Sequence, residues 1–341
     1  MHNSKEINSF KMANMAHKTG VYTHPDLEIH ETGANHPENR TRIQKILQTL
    51  QPILNGHNSV EMVTSFEKMP NNILNLAHDE QYIQRVLDTE TQMTDPSSLV
   101  YLDPDTCISR GSFQSILSGI HATCQAVSDV VRGNYNNAFC IVRPPGHHAT
   151  ANGSMGFCVF SAISVAAKFA LQQDNINKVA IIDFDVHHGN GTEDIMQHDP
   201  NVLFTSIHQR DLWPYMHHDN HGPYNNIYNF GLDELADPQE YFNIIHQHIR
   251  PLVDTWQPDL ILISAGFDAH KNDPPQDALF NDPPGRQNLM EADFNYITQQ
   301  IMDMAQLHCN GRVISILEGG YNPDVLASCC LEHVQTLSRA N

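Results

Sequence analysis

An α/β fold, a single domain with a central, mostly parallel sheet flanked by helices, is predicted by three observations on this sequence of 341 residues. From Phe139 onward, short β-branched runs alternate with longer stretches at helical spacing, the rhythm of successive βα units. These runs are apolar throughout instead of alternating, as strands covered on both faces must be. Neither a linker-like composition nor an internal repeat divides the chain.

Taken in chain order, residues 1–20 show no continuous apolar stretch and read as a flexible N-terminal tail, leaving 21–341 as the folded domain. Helical spacing is expected over Glu38–Leu50 and Asp79–Asp88. A strand at Phe139–Arg143 precedes a helix near Cys158–Gln173, and further strands follow at Lys178–Asp183 and Val202–His208. The helix expected near Pro238–Trp256 opens on a proline, which a first helical turn tolerates. The strand Asp259–Ala265, the helix Glu291–Cys309, the strand Arg312–Leu317 and a second proline-led helix, Pro323–Leu337, complete the pattern.

Nineteen Lys plus Arg against 39 Asp plus Glu give a net charge of -20, which repels phosphate backbones and anionic lipid. Direct nucleic-acid or membrane binding through a basic patch is therefore not expected, and cationic partners fit better. No apolar run reaches the roughly 18 to 20 residues of a spanning helix. The first twenty residues lack the hydrophobic core of a cleaved secretory signal, so a cytoplasmic location is the default expectation, with signal-less export as the alternative. Seven scattered cysteines without a C-x-x-C argue against a disulfide framework or a cysteine-rich zinc knuckle.

Ligands of open α/β sheets collect outside the carboxyl ends of the strands, and four such ends here carry chemistry. After the first strand, Arg143-Pro144-Pro145-Gly146 leads into His147 and His148, adjacent imidazoles that work together only if neighbours aim them. The bland alternative is a surface pair in a chain with 22 His. After Lys178–Ile182 come Asp183, Asp185 and His187, which share one face if strand geometry continues. Carboxylate and imidazole on one face suit a zinc-type ion, whereas a solvated acidic turn is a poor sequel to a fully apolar strand. Asp268, after Leu260–Ala265, completes a set of two Asp and one His, leaving a fourth position for water. Tyr321 follows Gly319 and Gly320, and its phenol could donate to a carbonyl becoming an oxyanion, although Gly-Gly-Tyr is also an ordinary turn.

The segments R-P-P-G-H-H, D-F-D-V-H-H-G-N-G-T, S-A-G-F-D-A-H and E-G-G-Y-N, in this order, resemble the zinc-dependent histone deacetylase family, including the bacterial acetylpolyamine amidohydrolases. The resemblance extends over roughly residues 20 to 337, through His36-Pro37-Glu38 with Arg42, His78-Asp79 with Tyr82, and Gly156-Phe157-Cys158. Asn190 and the Phe-Asp-Ala-His wording are similar to class II members. The resemblance implies an arginase/deacetylase-like fold with one zinc per chain on Asp185, His187 and Asp268. It implies His147 and His148 as the catalytic pair, Asp183 orienting the first, Asn190 partnering the second, and Tyr321 as the electrophilic phenol. Gly156, Phe157 and Trp213 would bind substrate. A structural potassium would sit on Asp183, Ser206 and the main-chain carbonyls of Asp185, His187 and Ile207.

The implied activity is zinc-dependent hydrolysis of the acetyl (acyl) amide of lysine side chains in proteins, releasing acetate. The alternatives are an acetylpolyamine amidohydrolase or a non-catalytic acyl-lysine binding protein; the oligomeric state stays open. A two-manganese ureohydrolase of the arginase type shares the α/β plan, but Asp268 is followed by Ala269-His270 with no further Asp for a second ion. Three places depart from the family pattern. Ser161 stands where Asn is usual, Trp213 replaces a channel Phe in the glycine-free segment Asp211–His218, and about nine extra residues lie between His270 and Asp282. The insertion, residues 271–281, reads as a rim loop that sets specificity. His217, His218 and His221 read as a solvated loop, His246 and His248 as unable to share a ligand, and Cys158 as a small buried residue.

Overall fold

A computed structural model describes residues 17–56, 59–67, 69–95, 97–216, 222–274 and 284–339. Its centre is an eight-stranded sheet of β1 (Thr19–Tyr22), β2 (Val60–Val63), β5 (Asn137–Cys140), β6 (Val179–Asp183), β7 (Val202–Gln209), β8 (Ile227–Leu232), β9 (Leu260–Ala265) and β10 (Val313–Leu317). The strands lie in the order β2-β1-β5-β10-β9-β6-β7-β8, and every pairing is parallel. A separate antiparallel ribbon joins β3 (Val100–Tyr101) to β4 (Cys107–Ile108).

The five expected strands are present; β5 begins and ends earlier than expected, because the chain leaves the sheet before the rigid Pro144-Pro145 turn. Their side chains explain why: Leu260, Ile261, Leu262 and Ile263 are all fully buried, each worth roughly 1.5–3 kcal/mol of burial. Three sheet strands were not anticipated. β2 is only four residues long, β8 interrupts its apolar residues with Asn229 and Gly231, and β1 straddles the expected tail boundary at residue 20. The tail boundary at residue 20 is thereby corrected: Thr19 and Gly20 pair with β2 and β5, and the Lys18 amide donates to Asn136.

The helices are α1 (Thr41–Gly56), α2 (Glu80–Thr91), α3 (Ser112–Arg132), α4 (Ala162–Ala170), α5 (Asn190–Met196), α6 (Pro238–Ile244), α7 (Arg250–Trp256), α8 (Glu291–Cys309) and α9 (Pro323–Arg339). Layers form over the sheet where α9 packs on α1, α8, β1 and β5, and where α3 packs on α4, β5 and β10. The longest, α3, was not expected, although Gln114, Ser118, His121, Gln125, Asp129 and Arg132 recur three or four residues apart along one side while Ser115, Thr123 and Ser128 are buried on the other. The single helix expected over Pro238–Trp256 contains a π turn at Ile245–Ile249, just before Pro251, which has no N–H to donate. Glu38 lies ahead of α1, in a buried ion pair instead of a helix. The helix expected from Cys158 starts at Ala162, where Ser161 accepts from the Ser164 amide as N-cap. Among the described residues, no helix is long and apolar enough to cross a membrane.

Candidate active site

The four chemically loaded strand ends belong to β5, β10, β9 and β6, which are consecutive neighbours in the sheet, so their following loops converge at one carboxyl edge. Beyond β6 the strand geometry does not continue through His187, contrary to the period-2 expectation. The Asp185 amide instead bonds Asp183 Oδ1 at 3.1 Å and the His187 amide bonds Asp185 Oδ1 at 2.9 Å, two successive side-chain turns that aim the groups inward.

Asp185, His187 and Asp268 bring ligand-type atoms within 4.8 Å of one another, the one such cluster among the described residues. His187 Nδ1 lies 3.1 Å from both Asp185 Oδ1 and Asp268 Oδ2. The backbone closes round the pair: Gly319 N donates to Asp185 Oδ2 at 2.8 Å and Val186 N to Asp268 Oδ1 at 3.0 Å. A Cβ on Gly266 would fall 1.9 Å from Asp185 Oδ2, and one on Gly319 2.2 Å from Asp268 Oδ2. Two buried carboxylates against one imidazole leave negative charge to be balanced, and a two-oxygen, one-nitrogen donor set suits zinc, so these residues fit the ion typical of the family suggested above.

The tandem histidines are aimed by their neighbours. His147 Nδ1 stands 3.0 Å from Asp183 Oδ2 and His148 Nδ1 2.7 Å from Asn190 Oδ1, with the ring centroids 3.9 Å apart. Both partner atoms accept, so each Nδ1 carries a proton and each ring turns its Nε2 away from that partner. Burial alone would lower His147, but the carboxylates of Asp185 and Asp183 outweigh it and lift the imidazole to about 10. Burial, with His147 and His187 beside it, holds His148 well below the ordinary value. Asp185 is held low despite burial by His147 and His187, whereas burial raises Asp183 and Asp268.

Three buried acids that carry the site's loops received no role from the sequence. Glu318 Oε2 accepts from the amides of Gly146 at 2.6 Å and His147 at 3.1 Å, pinning the histidine loop. Burial pushes its carboxyl up to about 7 against the pull of His147. Glu38 lies between Arg143 (2.7 Å) and Arg42 (3.2 Å), and although burial opposes it, the two guanidiniums bring its carboxyl down to about 2. Asp273, in the expected rim insertion, is instead buried against the backbone of Tyr321. A carboxylate directly after an apolar strand was a usable signal for Glu318; for Asp273, set among Asn and Pro, there was none.

Tyr321 is nearly buried, its ring edge-on to Phe157 at 5.6 Å and 5.0 Å from the Arg42 guanidinium. Burial keeps its phenol protonated far above neutral pH. A pocket of about 370 Å³ is lined by His148, His187, Tyr321, Gly156, Phe157 and Trp213, together with rim residues that include Tyr101 and Asp105. Trp213 stands edge-on to His148 at 4.7 Å. Gly156, at φ +56°, lets it approach: a Cβ there would lie 2.4 Å from the indole and 2.5 Å from His148.

The structure thus brings together all the zinc, histidine, tyrosine and channel positions named from the sequence. The potassium positions lie deeper: Asp183 and Ser206 are paired across β6 and β7, both buried, with Ile207 next along β7. His217, His218, His221 and most of the 271–281 insertion lie outside the described residues. His246 bonds Tyr296 while His248 stacks on Phe230, so the two do indeed part. Cys158 is buried, and burial raises its thiol well above the ordinary value.

Comparison with known proteins accords with this geometry. The histone deacetylase domain pattern matches residues 36–337. "Histone deacetylase 6" of Caenorhabditis elegans is 32% identical over 84% of this chain and 30% of its own length. "Probable deacetylase" of Archaeoglobus fulgidus is 31% identical over 89% of this chain and 81% of its own. The crystal structure of the HDA15 HD domain superposes with a TM-score of 0.82 at 26% identity, covering 94% of this chain and 88% of that one. The chain spans 30% of that C. elegans protein and 14% and 49% of two further curated matches, from Dictyostelium discoideum and Arabidopsis thaliana. With the domain pattern running nearly end to end over the fold and the cluster described, the chain belongs to the histone deacetylase family.

Proposed function

We propose that this protein hydrolyses the acyl amide of acetylated lysine side chains in proteins, releasing acetate. The observation that carries the reading is that His148, His187 and Tyr321 line one pocket, with Asp185 and Asp268 bonded to His187 and the His147 ring 3.9 Å from that of His148. Zinc on Asp185, His187 and Asp268 would act as a Lewis acid toward the attacking water and the acyl carbonyl.

The residues of the chain supply the rest. Phe157 and Trp213 flank the lysine stem and exclude water from the reacting amide. His148, held neutral, offers Nε2 to the proton of the attacking water, and His147, held protonated, returns one to the departing amine, while Asp183 and Asn190 orient the two rings. Tyr321 donates a hydrogen bond to the carbonyl oxygen as negative charge develops there. A potassium ion held by Asp183, Ser206 and the carbonyls of Asp185, His187 and Ile207 belongs to the same proposal; oxygen donors suit a hard cation, and swapping potassium for sodium should lower the melting temperature.

Acetate release by the zinc-loaded protein, measured on acetyl-lysine peptides and on acetylated polyamines with and without chelator, tests the reading. Peptide turnover abolished by chelation supports it. Preference for the small amines reassigns the protein as a polyamine amidohydrolase, and peptide binding without acetate release makes it an acyl-lysine binder.

A further inference from the structure

The loop that carries Tyr321 is held from two sides by buried side chains, a guanidinium and a carboxyl that burial raises to about 7. On one side, Arg42 donates from Nε to the Gly320 carbonyl at 2.7 Å and from Nη2 to the Glu318 carbonyl. On the other, one oxygen of Asp273 accepts from the amides of both Tyr321, at 2.7 Å, and Asn322, at 2.6 Å. Gly319, between them, is already tied through its amide to Asp185 and through its carbonyl to the Phe267 amide. The Arg42 guanidinium therefore fixes the carbonyls of the loop and an oxygen of Asp273 its amides, each matching the dipole it meets.

We propose that Asp273 is a positioning residue for Tyr321, setting where the phenol sits relative to the acyl carbonyl; the inference rests on the deacylase reading above. Three features support it. Asp273 is 5% exposed, so both bonds are sheltered from competing water. It comes from the segment after β9, the strand that also delivers Asp268, so it ties the Tyr321 loop to the frame of the metal cluster. Two glycines precede Tyr321, and Gly320, at φ +113°, adopts a conformation that leaves the loop free to swing unless its backbone is held elsewhere. Asp273 touches no reactant, so it acts only through Tyr321.

That restriction makes the proposal testable by a double-mutant cycle on the zinc-loaded full chain. Asp273→Ala should lower kcat about 10- to 100-fold, the scale set by a small misplacement of a catalytic group, with KM and zinc content little changed. Asp273→Asn, which keeps an accepting oxygen, should restore most of the loss. In the Tyr321→Phe background the same alanine substitution should cost almost nothing further. Full additivity of the two losses, or an Asp273→Ala enzyme with unaltered kcat, overturns the proposal. If the alanine variant does not fold, Asp273→Val, which has no acceptor, takes its place in the cycle. Hydrogen exchange at the Tyr321 and Asn322 amides gives a readout that needs no turnover: it should accelerate in the alanine variant, and unchanged protection overturns the inference. Should the unsubstituted protein release no acetate from any substrate, the functional reading fails while the exchange measurement still decides the role of Asp273.

Discussion

Each reactive group at this site is defined by what stands behind it. Tyr321→Phe removes one hydroxyl and none of the cluster, so it should retain zinc and lose about 10²- to 10³-fold in kcat, the cost of one oxyanion donor. Asp185→Asn should lose metal and turnover together, read by metal analysis beside acetate release. Gly266→Ala reaches the same end from the backbone, since its Cβ would land on Asp185 Oδ2; the expected outcome is weakened zinc affinity by competition with a chelator, and wild-type affinity would contradict the tight cradle. The reactive residues were legible because each follows an apolar strand, where an ionisable group needs a reason to be. Asp273, Glu38 and Glu318 were legible as residues but not as supports, because what they hold is backbone from distant parts of the chain, and sequence spacing carries no trace of that.

At the scale of elements, the central strands carry the stability. Leu262 in β9 is fully buried between β10 and β6, and Leu262→Ala should cost about 2–5 kcal/mol in urea unfolding. The Glu38 junction, where the stretch ahead of α1 meets the loop after β5, is comparably sensitive. Glu38→Gln leaves Arg42 and Arg143 buried without their shared counter-charge, an expected loss of about 3–5 kcal/mol. Strands with unbroken apolar runs announced themselves, whereas β1, β2 and β8 lie at or near the sheet edges, where short or interrupted runs suffice. α3 was legible but passed over: Gln114, Ser118, His121, Gln125, Asp129 and Arg132 recur at helical spacing opposite the buried side, with small polar residues such as Ser115 and Thr123 blurring the apolar face.

For the whole molecule, acid sensitivity follows from histidines kept neutral inside the fold. Burial brings His30 and His333 down to about 3 and His78 to about 4. The unfolded chain takes up these protons first, so their contribution is complete above about pH 6.5 and is lost as the pH falls toward 4, at roughly 1.4 kcal/mol per pH unit for each. Glu38, with its depressed carboxyl, adds a further loss only below about pH 4.5. The carboxyls of Glu318 and Asp273, raised by burial to about 7, work the other way between about pH 7 and 4.5, so the histidine part is read by difference. The change in unfolding free energy between pH 7 and 5 should shift in His333→Gln relative to the unsubstituted protein, and an identical pH profile would refute the assignment. The sheet order has a further consequence, for synthesis. β9 and β10 are the last strands made, yet they lie between β5 and β6, so a growing chain holds two half-sheets with open facing edges until the final quarter emerges. The nascent protein is thus chemically silent and adhesive at once, and a product stopped before β9 should be recovered with chaperones or in aggregates instead of as a smaller enzyme.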